Sequence, residues 1–266
     1  MTAGTHVASC AAPQLLRVRF FNVGYGDAIL VEFPDASCML IDAGDHEHAR
    51  QLNRQLQSLN IQSIDTVVIT HPHKNHFEGL AEIVEHIPIG RVFINGDRNA
   101  EEGYGQLLEK FHQRQISVRT LKRGDSLENL PEPIHIDVLH PDDLSGSPNG
   151  NSLVLWLKFK KTSVVFTGDI EPPQQEDILR LYEGITSSSV IKVPHHGGPL
   201  SEAFIKAFPD NNFIISTGPN QWGWPPEYEL KRLKGRIFRT DIDGTIVLES
   251  DGSLVSIRGE ADRKVK

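Results

Sequence analysis

The sequence predicts an α/β protein of four layers, with helices outside two β-sheets packed face to face, an αββα sandwich. Two patterns carry this expectation. Each half of the chain holds a meander of short strands followed by alternating strands and helices, and no linker rich in Pro, Gly or Ser separates the halves. A length of 266 residues, 38% of them hydrophobic and 23% charged, suffices for a large core. One domain over residues 1–266 is therefore expected, with residues 1–14 loosely ordered.

Residues 17–23 alternate apolar and polar side chains, as a half-buried strand does. Gly24-Tyr25-Gly26-Asp27 breaks the alternation. Residues 28–33 and 38–42 then form two short strands joined by the turn Pro34-Asp35-Ala36-Ser37. Residues 46–59 have helical spacing, 65–70 make a compact β-branched strand, and 77–86 predict a helix with Leu80, Ile83 and Val84 on one face. A strand at 91–95, a helix at 106–113 and a strand at 116–121 end the first half. In the second half 134–139, 152–159 and 163–167 read as strands, the last two a hairpin. Helices at 174–182, 202–208 and 227–234 alternate with strands at 190–193, 213–216 and 236–240. Strands at 244–249 and 254–257 close the chain as part of that half.

Composition excludes some functions. The net charge is -8, from 35 acidic and 27 basic residues, so long-range attraction of duplex nucleic acid by bulk charge is not expected. Bound metal ions can still supply positive charge locally, which leaves phosphodiester substrates open. Cys10 and Cys38 stand alone and give neither a disulfide framework nor a Cys-rich zinc site. The chain has no apolar run of the ~18 residues that suggest a membrane span, and residues 1–13 lack the basic and apolar regions of a signal peptide. A soluble cytoplasmic protein without a membrane partner is expected.

The chemistry concentrates in His71-Pro72-His73-Lys74-Asn75-His76, directly after the strand at 65–70. His71 and His73, two apart in a tight loop, can aim both imidazoles at one point, and His76 can address a second point nearby. Three histidines within six residues at a strand end are hard to explain as incidental loop residues, and imidazole is the commonest metal ligand. Two further groups follow strands. Asp169 in Thr167-Gly168-Asp169 can bridge two cations through its two oxygens, or cap the helix that follows. His195 and His196 precede a Gly-Gly turn. His140 is a weaker candidate, equally readable as a capped turn.

These segments, in order, resemble the metallo-β-lactamase superfamily, and within it the ComEC-type competence branch. The pieces that carry the resemblance are Phe21 through Ala28, Leu40-Ile41-Asp42-Ala43-Gly44, Thr70 through Leu80, Asn151 through Leu155, Phe166 through Ile170, Lys192 through Gly197, and Arg239-Thr240-Asp241 with Asp243-Gly244. The resemblance implies the αββα fold and two divalent metal ions, zinc or manganese. His71 and His73 would bind the first, position 75 and His76 the second, Asp169 would bridge them, and His195 and His196 would complete the set. Asn151 falls where many members have another histidine. Asp42 would support the histidine loop from outside the ligand set or cap its own turn.

Two cations sharing a water lower its pKa, place it for attack and neutralise charge on the attacked oxygen. The resemblance points such a centre at phosphodiesters of nucleic acid or a nucleotide. The same centre could instead open lactones, thioesters or β-lactams. Asn220, Trp222 and Trp224 lie on a loop expected at the site mouth, where the rings could stack a base or only pack the loop. Two residues depart from the family pattern. Asn75 stands where the family has Asp, which should weaken the second metal site and slow hydrolysis; it reads as a deliberate change, with a natural one-metal enzyme or a pseudoenzyme as the other readings. Trp224 stands where relatives of the branch tend to place a histidine. A non-catalytic module that holds one metal and binds a nucleotide or a partner protein is the alternative in another class.

Overall fold

A computed structural model describes residues 15–144 and 146–261. The expectation for residues 1–14, and Cys10 with it, lies outside the described residues.

Two sheets face each other. The first runs in the order β14-β13-β1-β2-β3-β4-β5-β6 and the second in the order β12-β11-β10-β9-β8-β7. In the first, β1 (Leu16–Phe20), β2 (Ala28–Glu32) and β3 (Cys38–Ala43) form the antiparallel meander, and β4 (Ile64–Ile69), β5 (Ile89–Ile94) and β6 (Ser117–Thr120) continue it in parallel. In the second, β7 (Ile134–His140), β8 (Val154–Phe159) and β9 (Thr162–Phe166) are antiparallel, and β10 (Val190–Lys192), β11 (Asn212–Ile215) and β12 (Arg236–Arg239) run parallel to β9. The inner parallel strands are buried on both faces and carry apolar runs, Val67-Val68-Ile69 in β4, Val190-Ile191 in β10 and Phe213-Ile214-Ile215 in β11, whereas the edge strands β6 and β12 are polar and partly exposed.

Strand alternation sorts those runs into layers. Val18, Phe20, Ile41 and Val68 meet Ile136, Leu155, Phe166 and Ile214 in a core between the sheets. Leu40, Val67 and Ile69 point the other way, onto α1 (His46–Ser58), α3 (Leu80–His86) and α4 (Tyr104–Gln113), through Leu52, Leu56, Ile83 and Phe111. On the far side Val165, Ile191 and Ile215 meet α5 (Pro172–Leu181) and α6 (Glu202–Ala207) through Ile178 and Phe204. The four layers are those the sequence predicts.

Three expectations are corrected. The last strands, β13 (Ile246–Ser250) and β14 (Val255–Gly259), join the first sheet, β13 pairing antiparallel with β1; alternation marks a strand without saying which sheet it extends. The helix expected at 77–86 is two, α2 (Lys74–Phe77) and α3, separated at Gly79. There the backbone N–H of Gly79 donates to Gly44 O, and a Cβ would lie 2.0 Å from Ala43 O, so the chain turns where only glycine fits. Finally Thr240 opens the short helix α8 (Thr240–Asp243) instead of ending a strand. One more helix, α7 (Glu227–Arg232), precedes β12. Among the described residues no helix is long and apolar enough to cross a membrane.

Candidate metal centre

The site lies where the parallel strands of both sheets end. Asp42 is the penultimate residue of β3, the histidine loop follows β4, Asp169 follows β9, and His195 and His196 follow β10. Leaving strands at their carboxyl ends, these loops converge as in other open α/β sheets. The two sheets are tied there by the N–H of Leu153 donating to Thr70 O.

Asp169 is the centre of the cluster. Its Oδ2 lies 3.1 Å from His76 Nε2, 3.3 Å from His196 Nε2, 3.8 Å from His71 Nε2 and 3.9 Å from His195 Nε2. His71 Nε2 faces His73 Nδ1 at 3.0 Å. His71, His76, His196 and Asp169 are buried, while the His195 side chain is 17% exposed and opens the cluster to solvent. The backbone N–H of Asp169 donates to Ser152 Oγ, and Gly168 packs so closely on Ser152 that a Cβ would lie 2.7 Å from Ser152 Cβ. His195 and His196 both occupy the left-handed region, at φ 50° and 56°. Two successive non-glycine residues there are strained, which is tolerated where side chains must be aimed.

A second set of partners orients the imidazoles. Asp42, fully buried at φ 56°, accepts from Thr70 N, from Thr70 Oγ1 and from His76 Nδ1 at 2.8 Å. His196 Nδ1 donates to Ser216 O at 2.9 Å. Both contacts leave the Nε2 atoms turned toward Asp169.

The charges of the cluster shift one another. Burial lowers the pKa of His76, but the carboxylates of Asp169 and Asp42 outweigh it and push it up to about 10. Burial raises that of Asp169, but the imidazoles of His196 and His76 hold it well below the usual carboxylate range. Burial, then the neighbouring His76, keeps His71 well below its ordinary value. The space between the His76 imidazole and the Asp169 carboxylate thus favours positive charge. The residues fit a cation there: several imidazole nitrogens converge on one carboxylate oxygen, and Asp169 Oδ1 and Asp27 Oδ1 are buried without a hydrogen-bond partner. His71, His76 and Asp169 could hold one ion, and Asp169 and His196 offer donors toward another.

Several predicted site residues fall elsewhere. Asn75 is at the site: its Nδ2 is 3.0 Å from His196 Nε2, and its carbonyl accepts from Asp27 N. Asn151 turns away, donating to Asp97 Oδ2 at 2.7 Å. Asn149, two residues earlier, reaches the imidazoles instead, with Nδ2 3.3 Å from His195 Nε2. Asn220 is a loop brace, not a ligand-facing group. Its Oδ1 accepts from Trp222 N and Trp224 N, and its Nδ2 donates to Gly218 O and Trp224 O. Trp224 meets His195 edge-on at 4.6 Å, and Trp222 lies at the rim. His140 is outside the cluster, its Nε2 donating to Gly150 O at 2.7 Å.

Sequence reasoning missed Asp27, Lys192 and Tyr25. Lys192 Nζ lies 2.5 Å from Asp27 Oδ2, 3.0 Å from Gly168 O and 3.6 Å from Asp169 Oδ1. Burial lowers the pKa of Lys192, but the charges of Asp27 and Asp169 raise it further, so it stays a cation. The ring of Tyr25 covers His196 at 4.3 Å. The only hint was that these residues lie inside the segments that carry the family resemblance.

A buried His and Asp donor set at the strand ends of an αββα sandwich defines a metal-dependent hydrolase class. The family model described as "Metallo-beta-lactamase superfamily" matches residues 21–218, and the chain belongs to that superfamily. Among curated proteins it is similar to "ComE operon protein 3" of Bacillus subtilis (strain 168), with 28% identity over 253 residues, 86% of this chain and 32% of that protein. It is also similar to "Competence protein ComA" of Neisseria gonorrhoeae, with 23% identity over 86% of this chain and 31% of the relative. The chain thus spans about a third of the length of these relatives. Among solved structures the fold matches CmlA, a diiron beta-hydroxylase from Streptomyces venezuelae, at a TM-score of 0.56 and 15% identity, covering 90% of this chain and 54% of that one. It matches Tm1679, a metal-dependent hydrolase of the beta-lactamase superfamily, at 0.53 and 14%, covering 92% of this chain and 100% of that one.

Proposed function

We propose that the chain is a metal-dependent phosphodiesterase acting on nucleic acid or a nucleotide, restrained by Asn75. The observation that carries the metal-dependent part is the convergence of imidazole nitrogens on Asp169 Oδ2. The substrate class is supported by the competence names of the similar proteins. Divalent ions, zinc or manganese, would be held by His71, His73, His76, Asp169, His195 and His196, and when bound would acidify a water and neutralise charge on a phosphoryl oxygen. The protein's own groups do the positioning. Asp42 fixes the His76 tautomer, Ser216 O fixes that of His196, and Lys192 faces the second oxygen of Asp169. His71, His76, His196 and Asp169 are shielded from water, while the partly exposed His73, Asn75 and His195 form the open side of the cluster.

Asn75 sets the limit. A neutral amide at 3.0 Å from His196 Nε2 offers no negative charge and cannot accept a proton. That observation also favours the second reading, a binding module that holds one ion and does not turn over. Metal content and turnover of the unaltered protein decide between them, two tightly held ions with turnover sinking the binding module, and Asn75→Asp tests the phosphodiesterase reading. The variant should bind two ions and cut single-stranded DNA, RNA or cyclic nucleotides with Mn²⁺ or Zn²⁺. A variant that binds two ions and cuts none of these sinks the phosphodiesterase reading. A lactone, thioester or β-lactam then becomes the substrate to assay.

A further inference from the structure

We infer that Tyr25 and Trp222 form a stacking platform for one unpaired nucleobase at the rim of the metal centre, so that the site takes nucleotides and single strands and not duplex. The inference rests on the nucleic-acid reading for its ligand class.

Trp222 is 56% exposed, an unusual position for a large ring. Its ring centroid is 4.9 Å from that of Tyr25, and the Tyr25 ring is 4.3 Å from that of His196. The indole is therefore two ring contacts from the Asp169 cluster, and with Tyr25 and Trp224 beside it more than half of the residue's surface still faces solvent.

The ring is held and not merely displayed. Trp222 N donates to Asn220 Oδ1, and the same amide takes Trp224 N and donates to two carbonyls of its own loop. That loop rests on the turn carrying Tyr25: a Cβ at Gly218 would lie 2.5 Å from Gly24 C. Both rings thus sit on backbone that packs together, which lowers the ordering cost of binding.

Charge and geometry select the occupant. An acidic chain gains little from long-range attraction of a polyanion, whereas stacking needs no charge and every base has a π-face. Bases in a duplex are already stacked, so only an unpaired base can lie on the indole. The phosphate joined to it would then fall toward the donor set.

Trp222 fluorescence provides the test. The protein, with metal chelated and again with Mn²⁺, is titrated with dAMP, dTMP, ribose 5-phosphate and phenylalanine amide. The expected result is quenching by dAMP, weaker binding of dTMP, and no quenching by ribose 5-phosphate. Because these variants lack the reporting indole, their affinity is read by calorimetric titration: Trp222→Ala should weaken dAMP by about tenfold, and Trp222→Phe should keep most of the affinity. No dAMP quenching in either state, equal binding of ribose 5-phosphate, or unchanged affinity in Trp222→Ala overturns the platform. So does phenylalanine amide quenching as strongly as dAMP. The two readings fail separately. Quenching by dAMP without cleavage by Asn75→Asp removes only the hydrolytic one. Cleavage of single-stranded DNA by Asn75→Asp, with KM unchanged when Trp222→Ala is added, removes only the platform.

Discussion

Lys192 and Asp27 form an ion pair between the two sheets, Nζ to Oδ2 at 2.5 Å, with each side chain 1% exposed. Deleting Lys192 leaves the Asp27 carboxylate buried without its cation, and deleting Asp27 leaves Lys192 only its longer contact to Asp169. Lys192→Met is expected to lower the unfolding free energy by ~3–5 kcal/mol, and Asp27→Asn combined with Lys192→Met to recover part of it. Urea denaturation of the two single variants and the double variant measures the coupling. Additive losses would mean that the pair is not a unit.

Asp42 touches the metal loop only through its partners, accepting from Thr70 and from His76 Nδ1. Asp42→Asn should reduce Mn²⁺ or Zn²⁺ affinity by roughly 10–100-fold, the usual effect of losing such a support. Calorimetric titration reads this directly. An unchanged affinity would make Asp42 a turn residue alone.

Adding charge at position 75 should work in the opposite direction. In Asn75→Asp the affinity for the second ion is expected to rise by about tenfold or more, because carboxylate count tunes divalent binding. Metal content after dialysis, measured by mass spectrometry, distinguishes one retained ion from two. Asp169→Asn should retain fewer than the parent.

His140 gives a pH prediction outside the cluster. Its Nε2 donates to Gly150 O while Nδ1 is buried without a partner, and burial lowers its pKa below the ordinary 6.5. As pH falls below 6.5 the unfolded chain takes up this proton first. The stability His140 contributes is thus complete above 6.5 and declines below it, by up to about 1.4 kcal/mol per pH unit. His140→Gln keeps a donor for Gly150 O without titrating. Its unfolding free energy should fall less than the parent's between pH 7 and pH 5; parallel curves would refute the assignment.

The ligand candidates were legible because each set is consecutive in sequence and follows an apolar strand. His71, His73 and His76 share one loop, and His195 and His196 another. What was not legible depends on pairs that only the packed sheets bring together. Asp27 and Lys192 are 165 residues apart in the numbering and meet because β2 and β10 lie in facing sheets. Asn149 and Asn151 are identical in type and two apart, and only the turn between them decides which faces His195. Asn220 looked like a ligand group because its role, bonding its own loop, leaves no pattern at a distance.

The pairing of β1 with β13 has a temporal side. Arg17 and Glu249, hydrogen-bonded across these strands, are 232 residues apart. At ribosomal speeds of ~5–20 residues per second, β1 waits roughly 10–50 s for its outer neighbour. During that interval a strand with one apolar face, Leu16, Val18 and Phe20, lies at an open sheet margin, where it can recruit another chain. The nascent protein is then most exposed to aggregation, and a holdase that covers β1 would raise its yield more than one acting after release.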